Sequence, residues 1–151
     1  MITDGPKTYE DVLKAIDSYK VKFRRPELPD LEFSKLLALF PEDYGLNGAT
    51  LTWIDPWPNG ERQGVYFVFG QALKLLYIGK ASMRRGIGSR LAQWFQFAPD
   101  RGCKVVHPGW SEMPRFIATL AVPVGMGFEA PAIEEYLITQ LLPPDNGVGV
   151  G

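Results

Sequence analysis

Four polar side chains between residues 66 and 134 could together hydrolyse a phosphodiester. Two are the tyrosines Tyr66 and Tyr77, which lie in short apolar runs, and the third is Arg90, which follows a basic segment. The fourth is Glu134, the first residue of an acidic pair at the start of an apolar run. A phenol can exchange a proton, a guanidinium matches phosphate oxygens, and a carboxylate can hold a divalent ion. These residue types predict a metal-assisted site for phosphodiester cleavage, if the fold brings them together.

Charge is distributed unevenly along the chain, although its net value is only −1. Residues 74–115 carry eight cations and two anions, whereas residues 1–60 carry seven cations and ten anions. A basic segment in an otherwise acidic chain can meet phosphates, but a solvated helix face explains the same charges equally well. The tyrosines also have a plain structural explanation, as strand residues with buried rings and hydroxyls at the rim. Charge alone leaves both interpretations open.

Composition indicates a folded domain with an appended arm. The chain has 151 residues, of which 46% are hydrophobic and 22% charged, and its single cysteine excludes an internal disulfide. Its start has no basic segment followed by an apolar run, and no apolar stretch approaches the roughly 20 residues of a membrane helix. We therefore expect a soluble, cytoplasmic protein that makes no contact with a membrane.

Two regions are expected, a helical N-terminal arm over residues 1–60 and a mixed unit of helices and strands over residues 61–151. In the arm, helical spacing predicts one helix over residues 8–20. A second helix is expected after Asp30, and its apolar side would comprise Leu31, Phe33, Leu36, Leu37 and Phe40. We expect the arm to pack on the remainder of the protein, or to hold a protein partner through the last three of these residues.

The mixed unit is expected to position the four polar side chains with three strands and two helices. The strands are predicted over residues 64–69, 73–78 and 115–122, and the helices over residues 81–95 and 130–142. Because two glycines lie in the first half of the helix predicted over residues 81–95, we expect its regular part to begin near Ile87. Residues 98–112 have the composition of a loop.

Strand alternation allows the two tyrosines to meet. It places Tyr66 and Val68 on one face of the first strand, and Leu75, Tyr77 and Gly79 on one face of the return strand. One register of this hairpin brings both phenol rings to the same face of neighbouring strands.

Several short motifs follow one another in a fixed order over residues 64–147. They are Gly64-Val65-Tyr66, Tyr77-Ile78-Gly79-Lys80, Arg90-Leu91, Glu134 with Leu137-Ile138, then Pro143 and Asn146. In this order and spacing they resemble the GIY-YIG nuclease domain. The resemblance implies an α+β fold, in which a small central antiparallel sheet of about three strands is flanked by helices.

The resemblance also implies an activity, that of a metal-dependent endonuclease, a hydrolase that binds and cuts DNA. Tyr66 would be the general base, or would orient the attacking water, and Tyr77 would assist it. Lys80 would lower the proton affinity of that site, since a cation favours the phenolate. Arg90 would hold the scissile phosphate, and Glu134 would bind one divalent ion, Mg²⁺ or Mn²⁺.

Further contacts are expected around these residues. Gly79, Arg84 and Arg85 would contact the substrate, and Asn146 would stabilise the site from its far side. The stretch before Arg90 is longer than in compact members of the family, which makes Arg85 a rival for the arginine role. We favour Arg90, because apolar and aromatic residues follow it as they do in the family.

Two other functions are consistent with the sequence. One is a nucleic-acid-binding module of the same fold without turnover, which would suit the acidic overall charge and the lack of a separate DNA-reading domain. The other is a toxin-type nuclease that is controlled by a partner bound to the N-terminal arm.

Overall fold

The computed structural model describes residues 5–51, 57–97, 103–106 and 108–147, which form an α+β protein. Its three helices are α1 (Tyr9–Phe23), α2 (Ile87–Trp94) and α3 (Glu129–Leu141). Its strands are β1 (Glu32–Phe33), β2 (Leu37–Ala38), β3 (Thr50–Leu51), β4 (Gly64–Phe69), β5 (Leu75–Ala81), β6 (Phe95–Phe97), β7 (Cys103–Val105) and β8 (Phe116–Ala121). No helix in these ranges has the length and apolar character needed to cross a bilayer.

The main sheet has six strands in the order β3-β2-β8-β4-β5, with β1 also paired to β8. All pairs are antiparallel except β2 with β3. The three strands predicted from the sequence are confirmed as β4, β5 and β8. The sheet is larger than the predicted three strands, because β1, β2 and β3 extend it beyond β8.

Two apolar cores lie on opposite faces of the sheet. Val65, Phe67 and Phe69 contribute to the core that α1 and α3 cover, whereas Tyr66 and Val68 contribute to the core that α2 covers. All five are fully buried. The predicted alternation along β4 is therefore confirmed, and it sends Tyr66 towards α2.

The prediction of a second helix in the N-terminal arm is wrong. Residues 32–33 and 37–38 instead form β1 and β2, which pair with successive parts of β8. Leu36 and Ala38 enter one core and Leu39 the other, as expected for a strand that is buried on both sides. A short apolar run of this kind cannot be distinguished from a buried helix segment by its periodicity. Among the described residues of the arm, α1 is the only α-helix, and the strands of the arm belong to the same sheet as β4 and β5.

The prediction of an apolar partner-binding patch on this arm is also wrong. Leu36 and Leu37 are buried against the sheet, and Phe40 is half-buried. Leu36 and Leu37 therefore stabilise the fold and are not available to a partner, and only part of the Phe40 side chain is exposed.

Three smaller differences concern the region around the predicted site. The helix predicted from residue 81 begins at Ile87, where its regular part was expected, and Ala81 ends β5. Residues 98–112 include β7, which pairs with β6, where a loop was predicted. A bulge between Val68 and Phe69 shifts the register, so Leu75 faces the opposite core from Tyr77.

Candidate active site

The β4–β5 pairing brings the two tyrosines together. Tyr66 is opposite Gly79 and Val68 is opposite Tyr77, so both phenol rings lie on the α2 side of the sheet. Their ring centroids are 6.1 Å apart. The hairpin therefore has the register that we expected to bring the two tyrosines together.

Gly79 positions the Tyr66 ring. A Cβ atom at Gly79 would lie 2.3 Å from Tyr66 Oη and 2.2 Å from the ring carbon that carries it. The ring therefore crosses β5 directly over Gly79, and any larger residue would displace it. Gly79 is itself buried, which gives it a packing role in place of the substrate contact that we expected.

Three donor groups surround the Tyr66 hydroxyl. Trp94 Nε1 donates a hydrogen bond to Tyr66 Oη at 3.0 Å, and the side chains of Arg90 and Tyr77 also interact with this oxygen. Burial raises the pKa of Tyr66 above its ordinary value, and the three donors oppose that effect by favouring the phenolate. Burial likewise raises the pKa of Tyr77, and the neighbouring Tyr66 and Glu134 raise it further.

The role of Trp94 was not predicted from the sequence, where it was only an apolar residue of the helix. It lies four residues after Arg90, and two residues with this spacing share one face of a helix. The spacing is the signal that could have identified it: both side chains reach the Tyr66 hydroxyl from α2.

Arg90 is the arginine of this cluster. Its side chain interacts with Tyr66 and with Glu134, and its buried Nε atom has no hydrogen-bond partner among the described residues. Arg84 and Arg85 are exposed in the turn between β5 and α2. The structure therefore places Arg90, and not Arg85, beside Tyr66 and Glu134.

Glu134 is carried by α3, the helix that covers the other face of the sheet, but it lies close enough to interact electrostatically with Tyr77 and Arg90. It is half-buried at the rim of α3, whose neighbouring residues Ile133 and Leu137 enter the core. Burial raises the pKa of its carboxyl, the charges of Lys80 and Arg90 lower it, and Glu135 raises it. A carboxylate thus interacts with two cations, Lys80 and Arg90, and with the phenol of Tyr77.

Lys80 affects a different group from the one expected. Its charge acts on Glu134, and its Nζ lies 3.5 Å from Ser82 Oγ. The cation that favours the phenolate of Tyr66 is Arg90. Lys80 follows Gly79 on β5, so its side chain emerges on the α3 face, away from the tyrosines.

Asn146 lies at the free edge of β5. Its Oδ1 accepts a hydrogen bond from Ile78 N at 2.9 Å, and its Nδ2 donates to Ile78 O at 2.7 Å. Both ends of the amide are therefore used by the backbone of the strand that carries Tyr77. Asn146 supports the cluster by fixing this strand, and its amide does not face the other polar groups.

A metal ion at this cluster would have one protein carboxylate, that of Glu134. The described residues contain no group of three or more histidine, cysteine, aspartate or glutamate side chains suited to hold a metal. Mg²⁺ commonly keeps several waters and is held by one or two carboxylates together with substrate phosphates. The residues present fit that mode of binding, and they do not fit an all-protein cage.

Comparison of the chain with family models, with curated proteins and with solved structures returned no match.

Proposed function

We propose that this protein is a divalent-metal-dependent endonuclease of the GIY-YIG type, which hydrolyses phosphodiester bonds in DNA. The observation that carries the proposal is the convergence of Tyr66, Tyr77, Arg90 and Glu134 from four different elements. Arg90 Nε adds support: it is buried and has no hydrogen-bond partner in the part of the chain that the structure describes, whereas a buried guanidinium donor normally has an acceptor. A phosphate oxygen would supply that acceptor.

Tyr66 is the group that we assign to take a proton from the attacking water, at its Oη atom. Only the phenolate can do so, and the donors Trp94, Arg90 and Tyr77 stabilise that form. Tyr66 is fully buried, so the side chains around it have to shift before water can reach the oxygen.

Arg90 and Glu134 are assigned to the phosphate. The planar guanidinium of Arg90 can donate two parallel hydrogen bonds to phosphate oxygens. Burial raises the pKa of Glu134, and the charges of Lys80 and Arg90 oppose this by favouring the ionised carboxylate that binds a metal. A bound Mg²⁺ would offset charge that develops on the phosphate and on the leaving oxygen.

Cleavage of supercoiled plasmid tests the proposal. We expect nicking with Mg²⁺ or Mn²⁺ and none with chelator. Glu134→Gln keeps the shape of the side chain and removes its charge, so we expect a loss of about 100-fold or more in rate, as for other groups that stabilise transition-state charge. Arg90→Lys keeps the charge but not the fork, and we expect it to lose activity too.

Glu135→Gln is the matched control, because Glu135 is the exposed neighbour of Glu134. It should cut at close to the wild-type rate. Equal nicking by the wild type, Glu134→Gln and Arg90→Lys would overturn the proposal.

The burial of both phenols favours a second candidate, a nucleic-acid-binding module without turnover. Tyr66 is fully buried and Tyr77 is 4% exposed, as befits structural residues. Salt-dependent binding of DNA by the wild type, without cleavage in any divalent ion, would select this candidate.

A further inference from the structure

Three loops meet at the end of the sheet nearest the proposed active site. Gly64 is the cross-strand partner of both Ala81 and Ala121, so the segments beyond these residues emerge side by side. Gln63 connects them: its backbone carbonyl accepts a hydrogen bond from Val122 N at 2.9 Å, and its side-chain amide donates to Met83 O. The loops after β5 and β8 are therefore fixed to the segment before β4.

These loops expose three large apolar side chains. Met83 is 89% exposed, Val124 is 86% exposed and Phe128 is 74% exposed. Met83 also has a φ of 62°, in the left-handed region that a non-glycine residue seldom adopts. Arg84 and Arg85 follow it and are exposed as well. We call these five residues the loop-end surface.

Two adjoining grooves run through the loop-end surface. Met83 and Phe128 line one of them, and Met83, Val124 and the two arginines line the other. The charged residues that line them are Glu61, Arg62, Arg84 and Arg85, with a net charge of +2. Arg62 is engaged with Glu32 and with Val122 O, so Arg84 and Arg85 supply the available positive charge.

The first groove leads towards the proposed active site. Pro131 and Ser82 also line it. Glu134 lies three residues after Pro131, on the same side of α3, and Lys80 Nζ contacts Ser82. A strand of DNA whose phosphate lies at Arg90 and Glu134 would therefore pass its neighbouring nucleotide across Met83 and Phe128.

We propose that the loop-end surface holds an unpaired nucleobase of the DNA next to the cut phosphate, an inference that rests on the proposed nuclease function. Phe128 offers an aromatic face on which a base can stack, Met83 lines the same groove, and Arg84 and Arg85 neutralise the adjoining phosphates. A regular duplex has no free base face to offer, so the preferred substrate contains unpaired nucleotides. Three apolar side chains are too few to form the core of a stable protein interface.

Binding in chelator tests this surface without any cleavage. The probes are one fully paired duplex and the same duplex with a single unpaired 2-aminopurine, whose fluorescence reports stacking. We expect the wild type to bind the second probe about tenfold more tightly, within the range of one base–aromatic stack, and to quench its fluorescence. Phe128→Ala and Met83→Ala should lose the preference and the quenching while still binding the paired duplex.

Val21→Ala is the matched control, because Val21 is 86% exposed on α1, outside both grooves. It should retain the preference. Equal affinity of the wild type for both probes, or an unchanged preference in Phe128→Ala, would overturn the inference. So would a wild-type dimer that Phe128→Ala dissociates, since a second copy would then occupy the surface.

The two proposals fail in different ways. A protein that keeps the Phe128-dependent preference but cuts no DNA in any divalent ion would refute the nuclease and retain the base-binding surface. A protein that nicks plasmid with Glu134-dependent activity but shows no preference between the probes would refute the surface and retain the nuclease.

Discussion

At the scale of single residues, opposing effects act on the pKa of Tyr66. Burial disfavours its phenolate and raises its pKa, whereas the donors Trp94, Arg90 and Tyr77 favour the phenolate. If Tyr66 accepts a proton from water, the fraction of active enzyme grows as pH approaches its pKa from below. We therefore expect the cleavage rate to rise with pH through the alkaline range.

Replacing Trp94 tests whether its hydrogen bond lowers the pKa of Tyr66. Trp94→Phe removes the hydrogen bond at 3.0 Å to Tyr66 Oη, which destabilises the phenolate and raises the pKa of Tyr66 further. The alkaline rise in rate should move to higher pH. At about pH 8 we expect a rate about tenfold lower, the effect of losing a hydrogen bond worth about 1.4 kcal/mol to the charged form.

A pH–rate profile from about pH 7 to about pH 10 measures the change around the ordinary tyrosine value. Trp110→Phe is the control, because Trp110 packs on Tyr77 and Trp94 but its buried Nε1 has no hydrogen-bond partner among the described residues. Superimposable profiles for Trp94→Phe and the wild type would argue against Tyr66 as the base.

At the scale of elements, a buried ion pair fixes α1 to the start of α3. Arg24 Nε lies 2.6 Å from Glu129 Oε2, and Tyr19 donates a hydrogen bond to the same oxygen at 2.9 Å. The side chains of Arg24 and Glu129 are 6% and 7% exposed. Glu134 lies little more than one turn further along α3, so this contact helps to place the proposed metal ligand.

Breaking the pair should be costly. Glu129→Ala leaves the buried Arg24 without its partner, and we expect a loss of about 3 kcal/mol in the free energy of unfolding. Asp17→Ala removes an exposed pair with Lys20 on the same helix and should cost less than about 0.5 kcal/mol. Urea titration measures the free energy of unfolding of both variants. Equal losses would show that the buried pair between Arg24 and Glu129 stabilises the fold no more than an exposed ion pair does.

At the scale of the whole molecule, both ends of the described chain are attached to β5, the strand that carries Tyr77. Lys7 O accepts a hydrogen bond from Leu75 N, and Asp145 N donates one to Leu76 O. Asn146 then pairs with Ile78. An exposed edge strand invites pairing with another chain, and these contacts cover it while they hold the tyrosine in place.

The sequence predicted the parts that have a strong pattern of their own. Alternation along β4 and helical spacing in α1 and α3 are local signals, and the order of the motifs located Tyr66, Arg90 and Glu134. The strands β1 and β2 have two residues each, too few to show a period. They form strands because they pair with β8. The bulge before Phe69 and the face on which Lys80 emerges depend on register, which only the assembled sheet determines.

The central claim is that side chains from separate elements act at one centre, and a double-mutant cycle on plasmid cleavage in Mg²⁺ tests it most directly. Arg90→Lys and Glu134→Gln are measured singly and together. Groups that serve one transition state are not additive, so the double variant should be hardly slower than the slower single variant. If the two losses instead multiply, Arg90 and Glu134 act independently, and the account of a shared site is contradicted.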